Sequence, residues 1–114
     1  MTERYCRQLI EDAEKRGEIP KWSLISRHGS LSEAFMREYW NKLDWGFIAE
    51  FQKLSEDFMR EMKEKQDWLS LSQNQRMSTK FLEEFKDDIR WNARKHFVGV
   101  PKEIYQKYTE YFVE

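Results

Sequence analysis

Residues 45–67 read WGFIAEFQKLSEDFMREMKEKQD, and this stretch decides the fold because the rest of the chain contains imperfect copies of it. A tryptophan opens each copy, and successive tryptophans are 23 residues apart, at Trp22, Trp45, Trp68 and Trp91. Other positions recur at the same interval, among them Ser32, Ser55 and Ser78, then Phe35, Phe58 and Phe81, then Glu38, Glu61 and Glu84. A fixed period of this length predicts a tandem structural repeat.

Each copy is predicted to contain two helices, and each helix is preceded by a capping residue. Asp44 and Asp67 stand directly before a tryptophan, where a short carboxylate accepts from the free N–H groups of a first helical turn. A short helix is therefore expected at residues 45 to about 52. Ser55 is the second cap, and it predicts a longer helix from residue 56 to about 65. The side chains of this second helix that should face the core are Phe58, Met59 and Met62.

The two ends of the chain are predicted to cap this repeat. Residues 3–16 carry apolar side chains at helical spacing and are followed by Gly17, a common helix stop, so a leading helix and turn occupy residues 1–21. Three copies follow at residues 22–44, 45–67 and 68–90. The final unit, residues 91–114, keeps only part of the pattern, as terminal capping units of repeat proteins do.

A single copy is too small to fold alone. Its large apolar side chains, about five in number, supply on the order of 10 kcal/mol when buried, against about 1.5 kcal/mol of lost conformational entropy for each ordered residue. Neighbouring copies must therefore share a core, with the four repeated tryptophans inside it. We expect one all-α domain over residues 1–114, in which helical hairpins stack as a small solenoid or superhelical bundle.

Charged residues are predicted to line the solvent side of the second helices. In the first two copies an acidic residue precedes a basic one by four positions, which is the spacing of an ion pair within one helix. The pairs are Glu33 with Arg37, Glu38 with Lys42, Glu56 with Arg60, and Glu61 with Lys65. A solvated helix face accounts for these residues without a catalytic role.

Composition limits the classes of partner and compartment. The 114 residues include 20 basic and 21 acidic side chains, for a net charge of −1, which disfavours binding driven by phosphate charge and also mimicry of nucleic acid by an acidic surface. The one cysteine, Cys6, cannot form an internal disulfide, and the sequence has no recognisable signal peptide or apolar span of about 18 residues. We expect a soluble protein of a reducing compartment, the cytoplasm, that does not associate with membranes.

The sequence has no motif for catalysis, metal binding or cofactor binding. His28 and His96 are the only histidines, and neither has the spacing of a metal-ligand pair. The four glycines are scattered rather than grouped in a phosphate-binding loop. We therefore expect a protein that is not an enzyme and needs no cofactor. A hydrolase of an unrecognised kind is a low-ranking alternative.

A basic segment near the C-terminal end supplies another alternative. Arg90, Arg94, Lys95 and His96 are candidate phosphate contacts, and they would suit an accessory factor that associates with nucleic acid. Two aspartates closely precede this segment and reduce its positive charge. A solvated helix end is the simpler explanation.

Three aromatic residues depart from the repeat. Trp40 stands where the other copies have lysine, so the scaffold expects a solvent-exposed side chain at this position. Phe47 and Phe51 lie four residues apart on one helix face, and the third copy has Ser70 and Asn74 at their positions. Because large exposed aromatic residues often anchor a binding partner, we predict that Trp40, Phe47 and Phe51 form one partner surface. Coverage of these rings by the leading helix or by superhelical curvature is the alternative.

The repeat resembles a group of short proteins encoded by phages, large DNA viruses and some bacteria, which consist of tandem units of the form W-x-x-I-x-x-x-Q-K-L-S-E-x-F-I-R-E-F-x-x-K-x-D. Residues 45–67 match this pattern nearly throughout, and the resemblance covers residues 22–90. The third copy departs from it at Thr79, Lys80, Asp88 and Arg90. The resemblance implies a helical repeat of phage or prophage origin and no shared enzymatic activity. Together with the small size, this origin suggests a module that binds a host protein, such as a component of a defence system, and inhibits it.

Overall fold

The computed structural model describes residues 1–93 and Gln106, and this part of the chain is helical, without a β-strand. The leading helix is α1 (Glu3–Lys15). It is followed by α2 (Trp22–His28), α3 (Glu33–Glu38), α4 (Trp45–Phe51), α5 (Glu56–Glu61), α6 (Trp68–Asn74) and α7 (Thr79–Glu84). A 3₁₀ turn at Trp91–Ala93 ends the described segment. We call α2, α4 and α6 the first helices, and α3, α5 and α7 the second helices.

Side-chain caps begin the helices where the sequence predicted them. The Asp44 carboxylate accepts from the N–H of Phe47 at 3.2 Å before α4, and Asp67 caps α6 in the same way. The second helices begin after serines whose Oγ atoms accept from the N–H three residues later, and these serines are Ser32, Ser55 and Ser78. The predicted N-termini of the helices are therefore confirmed.

The second helices are shorter than predicted. Helix α5 ends at Glu61 instead of continuing to about Lys65, and the chain then enters a hydrogen-bonded turn. The indole N–H of Trp68 donates to the carbonyl oxygen of Lys63, at 3.0 Å, within this turn. Trp45 and Trp91 make the same bond to the carbonyl five residues earlier in their own turns. Because the tryptophan holds the turn in place, the helix stops before the charged segment that the sequence pattern assigned to it.

The core extends along the described chain, because consecutive first helices pack against each other. Helix α2 contacts α4, α4 contacts α6, and α6 contacts the 3₁₀ turn. Phe35, Phe58 and Phe81 of the second helices are fully buried in one continuous core. The principal extents of 54 × 26 × 20 Å describe an elongated molecule.

The repeated tryptophans differ in burial, which corrects the expectation that all four are core residues. Trp91 is 1% exposed, but Trp22, Trp45 and Trp68 are partly exposed and pack against the edge of the core. The indole bond to a turn carbonyl does not decide this difference, because Trp91 makes it as well as Trp45 and Trp68.

Buried glutamines connect neighbouring copies, and the repeat pattern in the sequence does not predict this. The Gln75 amide nitrogen donates to the carbonyls of Ala49 and Gln52, at 2.8 and 2.6 Å, and its oxygen accepts from the N–H of Leu54 at 3.3 Å. Gln52 makes the corresponding bonds to Ser26, Gly29 and Leu31. Each buried amide thus has its own polar atoms satisfied while it fixes a loop of the preceding copy.

Ion pairs connect the second helices of neighbouring copies, whereas none of the four pairs expected at i, i+4 is an ion pair among the described residues. Within its own helix Arg60 pairs instead with Asp57, three positions earlier, at 3.0 Å. Arg37 pairs with Glu61 at 2.7 Å, and Arg60 pairs with Glu84 at 2.8 Å. The hydrogen bonds from these arginines lower the pKa of both glutamates. Because α5 ends at Glu61, Lys65 lies beyond the helix and is not one helical turn away from that glutamate.

Helix α1 occupies the place of a second helix at the N-terminal end. Glu3 accepts from the N–H of Ser32 at 2.8 Å, while Arg7 pairs with Glu38 at 3.1 Å and lies over the ring of Phe35. The corresponding contacts between α3 and α5 join Glu33 to Ser55, Arg37 to Glu61, and Arg37 to the ring of Phe58. Helix α1 therefore packs on α3 in the way that α3 packs on α5.

Candidate protein-binding surface

Phe47 and Phe51 form one cluster with a cation from the neighbouring copy. Their ring centroids are 6.1 Å apart on α4, and the Arg27 guanidinium of α2 lies 5.8 Å from the Phe47 centroid and 5.2 Å from the Phe51 centroid. Phe51 is 45% exposed, and Phe47 is partly buried. A guanidinium over two rings, one exposed and one partly buried, combines apolar area with charge, which is the composition of many binding hot spots.

A shallow groove begins at Phe51 and continues towards the third copy. It has a volume of about 330 Å³, and the buried amide of Gln75 belongs to its lining. Lys53 and Arg76 occupy equivalent positions in consecutive copies and line the groove together with Glu50. Among the described residues none of these three charged side chains takes part in an ion pair. The groove therefore presents two cations and one carboxylate that are available to a partner.

Trp40 lies in a separate groove and has a contact of its own within the protein. The ring is 41% exposed, and the Lys65 ammonium of the next copy lies 4.4 Å from its centroid. Both residues line a groove of about 320 Å³. At the following junction the equivalent residues are Lys63 and Asp88, which also line one groove. The tryptophan–lysine contact of one junction is thus replaced at the next by a lysine and an aspartate that line one groove.

The three predicted partner-binding residues therefore divide into two clusters. The structure brings Phe47 and Phe51 together with Arg27, whereas Trp40 contacts Lys65. A partner that touches all three rings would have to contact both clusters. The single surface that we expected from the sequence stays a prediction.

The candidate phosphate contacts lie at the edge of the described segment. Arg90 is exposed, and its backbone N–H donates to the Ser72 hydroxyl at 2.9 Å. Arg94, Lys95 and His96 lie outside the described residues.

Within the described part of the chain, no group of three or more histidine, cysteine, aspartate or glutamate side chains is placed to hold a metal ion. His28 is exposed at the end of α2. Cys6 is buried, and burial raises the pKa of its thiol.

Gln66 is a buried polar residue at a position that is apolar elsewhere. The equivalent residues in the neighbouring copies are Leu43 and Ile89, both buried. The side chain of Gln66 is also buried, and neither of its amide atoms has a hydrogen-bond partner among the described residues. The position could have been found in the sequence by comparing the copies, because it is the one glutamine in an apolar column.

Comparison of the chain with protein-family models, with curated proteins and with solved structures finds no match. Among the described helices, none is both long enough and apolar enough to cross a membrane.

Proposed function

We propose that this protein is a non-enzymatic module that binds another protein, and that its 23-residue units stack as a short solenoid. The consecutive contacts of α2, α4 and α6 support this architecture, as do the glutamine bonds and the arginine–glutamate pairs that recur between copies. An elongated stack of this kind exposes an extended surface, which repeat proteins commonly use for binding.

The observation that carries the proposal is the cluster of Arg27, Phe47 and Phe51. In the third copy Ser70 and Asn74 replace the two phenylalanines, yet α6 has the same length as α4 and the same type of cap. The fold therefore does not need aromatic rings at these positions. Two rings that the scaffold does not require, one exposed and one partly buried, with a cation held over them, favour a role in binding.

Trp40 contributes to the same function in the proposal, although its contact with Lys65 also gives it a role at the junction between copies. A partner that covers both clusters would bury an indole, two phenyl rings and two cations. Aromatic residues and arginine are the residue types that most often dominate binding energy.

The proposed partner is a host protein. The resemblance to phage and viral repeat proteins supports this choice, and a cytoplasmic location in the host cell belongs to the same proposal. Inhibition of a defence-system component is the form of action that the small size of the chain and its resemblance to viral repeat proteins suggest.

Capture from host lysate tests the proposal. Tagged wild-type protein should retain a host protein in the presence and in the absence of nuclease. A variant that carries Phe47→Ser and Phe51→Asn receives the residues of the third copy, so it should keep its melting temperature and lose the partner. The matched control is His28→Asn, which makes the change to asparagine at the equivalent position of α2 and should keep the partner.

Two results would contradict the proposal. A partner that the doubly substituted variant still retains would place the interface elsewhere. Release of the bound material by nuclease would favour the nucleic-acid alternative and the basic residues near Arg90.

A further inference from the structure

A groove between α1 and α2 concentrates the exposed apolar side chains of the N-terminal end. It has a volume of about 370 Å³, and its lining includes Tyr5, Leu9, Ile19 and Leu24. Ile19 is 86% exposed and Tyr5 is 54% exposed. Of the seven large hydrophobic residues that are exposed in the described chain, four line this groove. A contiguous patch of this type usually marks a surface that another molecule covers.

The groove lies at one end of the row of first helices. Helix α4 packs between α2 and α6, whereas the described chain places no first helix before α2, because α1 makes the contacts of a second helix. The α1–α2 groove thus has the surroundings that a first helix meets within the stack, namely a second-type helix on one side and a first helix on the other. A short helix is therefore the shape that fits it.

The charged groups of the groove indicate which kind of helix would bind there. Its lining includes Arg16, Lys21 and Glu18. Arg16 is paired with Glu18 at 3.2 Å, which leaves Lys21 without an ion pair among the described residues. The helix that packs on the other side of α2, α4, follows Asp44 and contains Glu50. An occupant with a carboxylate would complement Lys21, whereas a basic helix would be repelled.

We propose that the α1–α2 groove binds a short amphipathic helix of a partner protein, with apolar side chains at positions i, i+3 and i+4 and a carboxylate that faces Lys21. The inference goes beyond the proposed function, because none of Trp40, Phe47 and Phe51 lines this groove. It can therefore succeed or fail independently of that surface.

The probe is a peptide of residues 43–54, LDWGFIAEFQKL, which contains the sequence of α4 with both of its acidic residues. A hydrocarbon staple on its polar side holds the peptide helical, since helices of this length are marginal in water. A second peptide with lysine in place of both acids controls for charge. The full chain is titrated with each peptide while its backbone amide signals are followed by NMR.

The acidic peptide should bind saturably, with the largest shifts at Tyr5, Ile19 and Leu24, and at least about tenfold more tightly than the lysine peptide. Ile19→Asp should weaken binding by about tenfold or more. Leu69→Asp is the matched control, because Leu69 is also exposed, at 50%, but lies on α6 outside the groove. This control should bind like the wild type.

Lys21→Asp tests the role of charge further. This change should weaken binding of the acidic peptide and strengthen binding of the lysine peptide. The proposal is overturned if the acidic peptide does not saturate by about 1 mM, or if Ile19→Asp and Leu69→Asp bind it equally. It is also overturned if the free chain dimerises in sedimentation and Ile19→Asp abolishes the dimer, or if the groove binds vesicles of anionic phospholipid instead of the peptide.

Discussion

Replacing Gln66 by leucine should make this protein more stable. Its amide atoms are buried without a partner, although the equivalent residues in the neighbouring copies are Leu43 and Ile89. A buried amide that lacks its hydrogen bonds costs about 1–3 kcal/mol in proteins. Leucine removes this cost and adds apolar area to the core, so we expect a gain of about 1–3 kcal/mol in the free energy of unfolding.

Urea denaturation at constant pH measures this gain, which should raise the midpoint without changing the slope. In a thermal scan a gain of 1 kcal/mol corresponds to a rise of about 4 °C in a domain of this size. The matched control is the reciprocal change, Leu43→Gln, which buries an amide at the equivalent position of the preceding copy. That variant should lose about 2–4 kcal/mol, because it gives up leucine packing and adds the unpaired amide. A melting temperature for Gln66→Leu that is unchanged or lowered would refute the reasoning.

Three further predictions concern capping, the junction pair and pH. Helix α2 has no side-chain cap, while α4 and α6 begin after aspartate. Lys21→Asp should therefore stabilise the protein by about 1 kcal/mol in urea denaturation. An unchanged free energy of unfolding would show that the free N–H groups at the start of α2 already have other hydrogen-bond partners. Trp40→Lys alone should lower the melting temperature because lysine would face Lys65. The double change with Lys65→Asp installs the residue types of the next junction, a lysine and an aspartate of opposite charge, and should recover it. Equal melting temperatures of both variants would contradict this. The lowered pKa of Glu84, caused by the Arg60 hydrogen bond, contributes stability that is present above the unfolded pKa of about 4.3 and is lost as the pH falls through the lower folded value. The difference in melting temperature between wild type and Arg60→Gln should therefore narrow as the pH falls below about 4.3. A constant difference would assign the contribution to the contact of Arg60 with the ring of Phe81.

Much of the local structure could be predicted from the sequence, because capping depends on residues that are close in the chain. Ser55 and Asp44 mark the starts of α5 and α4, because their side chains accept from backbone N–H groups three residues later. The C-terminal end of α5 could not be predicted in this way, because it depends on a bond from the Trp68 indole to the carbonyl of Lys63. The 23-residue period shows that these residues recur, but it does not show which atoms form hydrogen bonds with each other.

The ion pairs illustrate the same limit. Glu61 stands four residues before Lys65, which favours a pair within one helix, yet it bonds Arg37 of the preceding copy. Such a pairing depends on how the copies pack against each other. The spacing of residues along one helix carries no information about this packing. For the candidate site, the departures from the repeat identified Phe47 and Phe51 but gave no indication of Arg27, because that contact also crosses between copies.

Both proposals depend on neighbouring copies being joined through their buried polar contacts, and hydrogen exchange tests this claim most directly. The backbone N–H groups of Leu31 and Leu54 lie in loops outside the helices, where exchange is normally fast. In the structure they donate to the amide oxygens of Gln52 and Gln75 of the following copy, each at 3.3 Å. Both amides should therefore be protected to a similar degree as the helical N–H of Ile48, which donates to the Asp44 carbonyl. Exchange of the Leu31 and Leu54 amides at the rate of an unstructured loop, while Ile48 stays protected, would contradict it.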